Sequence, residues 1–505
     1  MTIISRLRWR TRAILAITLA VLFSLASTGL AFASVPIVQI SANDPYTNTT
    51  SQHQTEVEPD TFAFGSTIVS TFQVGRFTDG GSSNVGWATN ASGGASGSWT
   101  NGFLPGTTVF ATPPGPYNRV SDPAVAFDAA HNTWMISTLG LTVSGTSVLG
   151  AAVLVSLSIN GGTTWSNPVV VHAASGSENL DKNWIVCDDT SNPSTSGHCY
   201  VEWDDNGAGN LIHMSTSING GTSWGAQQNT ANNATGLGGQ PVVQANGTVI
   251  VPINNANETA VLAFTSTNGG TSWGSTVTVA GIAHHTEDGS LRSGALITAE
   301  IDGAGTVYVV WSDSRFERGG RANDLVMSTS TNGTSWTAVT RIPADPVGSG
   351  VDHFIPGIAV DRSTSGTTAH LVVAFYYYPV SKCSSSTCQL DVGYVSSTTG
   401  GSSWSSTTNI TGPMTLSWLP NTTQSRMVGD YISADFAGGT VAFPAFAVAS
   451  APTGGTDCST AGVTCHEAIF SVVSGLASLA RGANSSLGDR VLSSSSVSSA
   501  PLTSR

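Results

Sequence analysis

The chain has 505 residues, with 31 acidic against 18 basic side chains, a formal charge of −13 and only 10% charged residues. So acidic a protein argues against general binding to nucleic acid or to anionic membranes, both of which would repel it. At this length about three domains would be expected, but an internal repeat described below overrules that and points to one.

Residues 1–33 read as a secretory signal. Arg6, Arg8, Arg10 and Arg12 make a basic start, Ala13 to Ala31 is apolar, and Ala31-Phe32-Ala33 is a small-x-small cleavage site before Ser34. An uncleaved membrane anchor is the competing reading. Cleavage would remove those four arginines and no acid, taking the formal charge from −13 to −17. No later segment is long and apolar enough to span a bilayer, so the expected location is secreted or cell-surface associated. Lys182 and Lys382 are the only lysines, so an anionic ligand would have to be met by arginines.

From Ser34 the chain is a succession of short apolar strands bounded by Gly, Asn and Ser. The β-branched run Val35 to Ile40 is followed by seven starts of the same kind: PDTFAF from Pro59, DPAVAF from Asp122, NWIVCD from Asn183, QPVVQA from Gln240, GALITAEI from Gly294, PGIAV from Pro356 and GDYISADF from Gly429. Each is followed by a second run rich in Val, Ile and aromatics, such as NTWMISTL, TVYVVW and HLVVAFYYY. No sustained helical periodicity appears, so the fold class is all-β. The last unit lacks its fourth strand, and residues 35–40 could supply it, which would leave no long sheet edge exposed. One domain over 34–474 is expected, with a Ser-rich flexible tail over 475–505.

Six cysteines fall in close pairs, Cys187 with Cys199, Cys383 with Cys388 and Cys458 with Cys465. In an exported chain these read as disulfides closing local loops, with zinc binding as the weaker alternative.

A motif then organises the whole. SINGGTTW at Ser158 to Trp165 returns at Ser217 to Trp224 and Ser266 to Trp273, with looser copies at Ser330 to Trp336, Ser397 to Trp404 and, stretched, Ser92 to Trp99. The Gly-Gly turn permits positive φ, the Asn side chain can hold nearby amides and the Trp buries a large surface. The pattern resembles the Asp box (BNR repeat) of sialidase-like β-propellers, with Asn160, Asn219, Asn268 and Asn332 where that family carries Asp. The resemblance implies four-stranded antiparallel blades, seven being favoured and six the alternative. It carries no catalysis itself, since such boxes brace blades on one face and a site belongs on the other.

On that other face the starts of the first strands collect Glu56, Glu58, Arg119, Asp122, Asp181, Lys182, Arg292, Asp352, His353, Arg426, Asp430 and Tyr431. Ends of second strands add Arg76, Glu202, Asp204, Asp205, Asp313, Arg315 and Tyr376 to Tyr378. A polar pocket at the channel mouth is one reading and a tunnel lined by salt bridges is the other. By resemblance to sialidases, Arg119, Arg292 and Arg426 would grip a carboxylate, Tyr431 would be the nucleophile, and Asp122 or Asp430 would supply the acid/base. Arg76, Arg315, Asp181 and His353 complete the expected substrate contacts. The family's early Arg-Ile-Pro is missing; Arg341-Ile342-Pro343 has the letters but follows the fifth box. No glutamate has an evident claim to pair with Tyr431, leaving Glu202 and Glu300 as candidates.

No cofactor and no catalytic metal are expected. The oxygen-rich turns Asp79 to Asn84 and Asp204 to Gly207 could hold a structural Ca²⁺ but read more simply as turns. His284-His285 with Glu287 and Asp288 could ligate a metal, yet adjacent histidines in an extended chain point apart. The expectation is a monomeric exported propeller acting on glycans, an exo-acting sialidase-like glycoside hydrolase if active, taking a glycan or other small anionic ligand at the funnel mouth. A non-catalytic carbohydrate- or protein-binding propeller is the alternative.

Overall fold

A computed structural model describes residues 35–478 except 49, 95–97 and 440. The leader read in 1–33, most of the tail read in 475–505 and the middle of the first box lie outside the described residues; the start of that tail is ordered, Leu476–Ala477 pairing with Val441 and Ala442. Among the described residues there is no α-helix, only strands and three short 3-10 turns. None of them forms a helix able to cross a membrane.

The strands assemble into antiparallel sheets whose order follows the chain. Gln52–Phe64, Thr67–Arg76, Ser82–Asn90 and Thr100–Phe103 pair in sequence, and Arg119–Asp128, Thr133–Ser144, Ser147–Ser158 and Val169–Ala173 do the same. Separate sheets follow over 180–229, 236–281, 298–342 and 352–415. The last group joins Ser433–Ala437, Val441–Ala449 and Glu467–Val472, and its outer partner is Ile37–Gln39 from the other end of the chain. In the 236–281 sheet the first strand is broken into Gly236–Leu237 and Val242–Val243 by Gly238 and Gly239.

Apolar side chains pack between successive strand groups. Val69, Trp87, Ile136 and Trp165 join 52–103 to 119–173, while Met135, Val153, Ile185 and Trp203 join 119–173 to 180–229. Further on, Tyr308, Met327, Val373 and Trp404 join 298–342 to 352–415. Phe72 and Ala88 meet Ala445, Ile469 and Ile40, linking the beginning to the end. Each first strand lies beside the next one along, and Ser433–Ala437 returns to Gln52–Phe64.

The boxes tie these packed layers together. In the first full copy the Gly162 N–H donates to Ser158 Oγ at 3.1 Å, the Thr164 N–H to Asn160 Oδ1 at 3.1 Å, and the Trp165 indole N–H to the Gly162 carbonyl at 3.1 Å. The second glycine leans on the preceding sheet: a Cβ at Gly162 would lie 2.8 Å from Val69, and one at Gly270 would lie 2.8 Å from the Tyr200 ring. Gly94 meets Phe443 of the last group in the same way.

All three expected disulfides form, Cys187–Cys199, Cys383–Cys388 and Cys458–Cys465. The first links directly opposed residues on adjacent strands.

Candidate active site

Four first strands carry the same irregularity. The ladder slips between Val57 and Asp60, Ser121 and Ala124, Asp181 and Trp184, and Phe354 and Gly357. At each slip a non-glycine residue has positive φ: Glu58 at 55°, Asp122 at 47°, Lys182 at 48° and Ile355 at 49°. Three of the four precede a proline, whose missing N–H leaves no ladder donor stranded. Left-handed backbone on such residues is unfavourable by about 1–2 kcal/mol each, and strain of this kind gathers where a side chain must be re-aimed.

Three of the four bulges aim charge, at Glu58, Asp122 and Lys182. Lys182 Nζ lies 3.4 Å from Asp122 Oδ1 and 2.5 Å from Asp430 Oδ2. Arg292 clasps the same Asp430, with Nε 2.7 Å from Oδ1 and Nη2 on Oδ2. Asp430 can enter because Gly429 precedes it at φ 134°; a Cβ there would lie 2.9 Å from the Glu58 amide nitrogen. Glu58, 1% exposed, is hydrogen-bonded by Gln73 Nε2, which also reaches Ser121 Oγ at 3.2 Å. Arg76 donates to the Gly81 carbonyl at 2.7 Å. Glu58, Arg76, Asp122, Asp181, Lys182 and Arg292 line a cavity of about 210 Å³. Asp181, Lys182 and Arg292 also face an adjoining cleft of about 770 Å³, which Asp430 lines too.

The surroundings push the carboxyls apart. Burial, reinforced by the negative charges of Asp122 and Asp430, raises Glu58 to about 8. Burial works the same way on Asp430, but Arg292 and Lys182 overcome it and hold that carboxyl far below the usual range. Lys182 is buried as well, yet Asp430, Asp122 and Glu58 raise its pKa. Asp181 is raised by burial, and Asp204 by burial and by Asp181. At neutral pH one protonated acid therefore sits beside an ionised carboxylate held by two cations.

The other expected site residues are engaged differently from the expectation. Arg292 and Arg426 are neighbours, the Arg292 backbone N–H donating to the Arg426 carbonyl at 2.6 Å, but the guanidinium groups of Arg119, Arg292 and Arg426 are each engaged by a different carboxylate, Asp430 in the case of Arg292. Arg119 bonds Asp79 at 2.6 Å and lies 4.0 Å over the Phe77 ring, while Arg426 bonds both Asp457 oxygens at 2.7 Å. Arg315 is held by Asp313 and by the Gly281 carbonyl. His353, buried in a different sheet, packs on Tyr377 and Phe375 with Nδ1 3.2 Å from the Asn323 carbonyl; burial takes it down to about 4. Tyr431 lies beside Asp122 and Lys182, but its hydroxyl donates to the Pro123 carbonyl at 3.0 Å and its ring sits edge-on to Trp184. Burial raises the Tyr431 phenol far above its ordinary value, with Glu58 and Asp122 adding to the effect. Glu300 bonds Arg362, and Glu202 is buried against Gly239, so neither touches Tyr431. Arg341 lies in Thr340–Ile342, the outer strand of its sheet, bonded to Asp324 and Asp345.

Glu58 and Lys182 stand at this face in the sequence, which points to no role for either. The available signal was the repeated charged or apolar residue just before Pro59, Pro123 and Pro356.

No family model matches the chain, and no curated protein matches it. Among solved structures, a protein of unknown function from Dyadobacter fermentans is 13% identical at a TM-score of 0.45, covering 73% of this chain and 99% of its own. A Hadza microbial sialidase is 12% identical at 0.42, over 83% and 67%. An α-L-arabinofuranosidase from Fusarium graminearum is 12% identical at 0.41, over 70% and 92%. At such scores none of these likenesses decides the fold or the activity, which are read from the chain's own geometry.

Proposed function

We propose that this chain is an exported, seven-bladed Asp-box propeller that hydrolyses a glycosidic bond of an uncharged sugar at the mouth described above. Seven blades are supported by the circuit of neighbouring first strands and by Gly94 leaning on Phe443. Export is supported by the leader-like start and the three disulfides.

The observation that carries the activity is the buried Glu58 lining one cavity with Asp122 and Lys182, with Asp430 held by Lys182 and Arg292 beside it. Glycoside hydrolysis asks for one carboxylic acid to protonate the departing oxygen and one carboxylate on the other side of the sugar. Glu58 has the proton at neutral pH, and Asp122, with the Lys182 ammonium 3.4 Å away, is the partner that lines the same cavity. A sialidase-type mechanism has less support, because Arg292 already grips an internal carboxylate and Tyr431 is tied to a backbone carbonyl. An anionic sugar would have to displace Asp430 from both cations.

The test is turnover of a panel of aryl glycosides, including neutral furanosides and pyranosides and a sialoside. Glu58→Gln is expected to lower kcat by about 10²–10⁴-fold with little change in KM, and the parent's rate should fall as pH rises through about 8. Cleavage of the sialoside alone, or full activity in Glu58→Gln, would reject the proposal. The saturation of Asp430 by Arg292 and Lys182 favours a second reading, a glycan-binding propeller without turnover. Saturable glycan binding with no hydrolysis across the panel would select it.

A further inference from the structure

Away from the mouth, ligand-type side chains meet where the 119–173 strands abut the 180–229 sheet. Glu178 lies between Val169–Ala173 and Leu180–Cys187, Asp205 ends Cys199–Asp205, and His213 lies on Leu211–Ser217. One ligating atom from each lies within 4.8 Å of the others. His213 is 3% exposed, and its Nε2 has no hydrogen-bond partner. Its Nδ1 is 2.8 Å from Asn229 Oδ1, while the amide nitrogen of Asn229 donates to Asn233. An amide oxygen only accepts, so Nδ1 carries the hydrogen and Nε2 keeps its lone pair.

The carboxylates are fixed in position too. Asp205 Oδ1 accepts from the backbone N–H of Asn179 and of Gly207, both at 2.8 Å, leaving Oδ2 outside those bonds. Glu178 accepts from the Ser175 N–H at 2.7 Å and Gln227 Nε2 at 3.2 Å, and His172 Nε2 lies 3.2 Å away. The His172 and His213 rings lie on Trp203, with centroids 5.6 and 5.7 Å from the indole, which walls the place off with apolar surface.

A second trio, Asp324, Asp345 and His353, has the same composition but is already neutralised by Arg341, 2.5 and 2.6 Å from the two carboxylates. No lysine or arginine bond is made to Glu178, Asp205 or His213 among the described residues.

We propose that Glu178, Asp205 and His213 bind a zinc ion, with Asn229 and His172 as positioning residues. Two carboxylates and one neutral imidazole balance the ion's charge, and an imidazole nitrogen favours zinc over calcium, which takes six to eight oxygens. Bonds of about 2.0–2.2 Å require the three atoms to close by about 1 Å, and a fourth position is open to water. The Asn229 contact is the kind of outer hydrogen bond that fixes the tautomer of a ligating histidine. Bound there, zinc clamps the segment after one outer strand to the next sheet.

The experiment is calorimetric titration of the metal-stripped full chain with Zn²⁺, with Ca²⁺ as control and Co²⁺ for visible absorption. One equivalent of Zn²⁺ is expected to bind, to raise the melting midpoint and to be outcompeted by Co²⁺ only in excess, while Ca²⁺ should leave both readouts unchanged. His213→Gln and the more exposed Glu178→Gln should each weaken Zn²⁺ binding by at least 10-fold, and Asn229→Ala by about 10-fold, with far-UV circular dichroism unchanged. Unweakened Zn²⁺ binding in either ligand variant, or no binding to the parent, would overturn the assignment.

Discussion

Asp430 is the residue on which the mouth depends, because it is the one carboxylate shared by Lys182 and Arg292. Removing its charge leaves the largely buried Arg292 without its carboxylate and Lys182 with Asp122 alone, so Asp430→Asn should destabilise the fold by about 3–5 kcal/mol, measured by urea unfolding. Tyr431 differs: its phenol makes one bond, to the Pro123 carbonyl. Tyr431→Phe should cost about 0.5–1.5 kcal/mol and leave turnover within a few-fold. A drop in kcat of two orders of magnitude would restore the tyrosine as nucleophile. Residue types at the mouth could be read from the sequence because charge is scarce and recurs at one place in each repeat. Their pairing could not, since Asp79 and Asp457, which claim Arg119 and Arg426, lie in loops far from those arginines in the chain.

Among the elements, the box turn separates two glycine duties that the sequence merges. Gly161 and Gly162 share a φ of 75°, but a Cβ at Gly161 would meet nothing within 4 Å, whereas one at Gly162 would strike Val69 of the neighbouring sheet. Gly161→Ala should therefore cost only the left-handed strain, about 1 kcal/mol. Gly162→Ala should cost about 1–3 kcal/mol more from overpacking, and equal losses in chemical denaturation would refute the brace. The boxes and strand order were legible because Gly-Gly and Trp recur at fixed spacing. The bulges were not, because ladder slips leave the apolar pattern intact and only the residue before proline hints at them. The proposed zinc ligands were hidden for another reason: Glu178 comes from a connecting segment and His213 from a strand 35 residues on, and Asp205 reads alone as part of a turn.

At the scale of the whole molecule, an unusual number of carboxyls is kept protonated by burial. Glu56, Glu58 and Asp352 are raised to about 8, and Asp60, Asp189 and Asp435 to about 7. A carboxyl that holds its proton more tightly when folded contributes stability below its unfolded pKa near 4 and loses it as pH climbs to the folded value. The unfolding midpoint in urea should accordingly be higher at pH 5 than at pH 8.5. Depressed carboxyls such as Glu178 act in the opposite sense, and only below about pH 4, so they do not cancel the trend. A midpoint that rises between pH 5 and 8.5 would contradict these environments.

The pairing of Ile37–Gln39 with Glu467–Val472 also sets a clock. Ser41 accepts the amide of Ile469 across 428 residues, and at roughly 5–20 residues per second a ribosome needs on the order of 20 to 90 s to deliver the second partner after the first. For that interval the opening strand has no mate, and whatever receives the nascent chain must keep its apolar side chains from pairing elsewhere. Completion of the last sheet thus waits on the synthesis of Glu467–Val472.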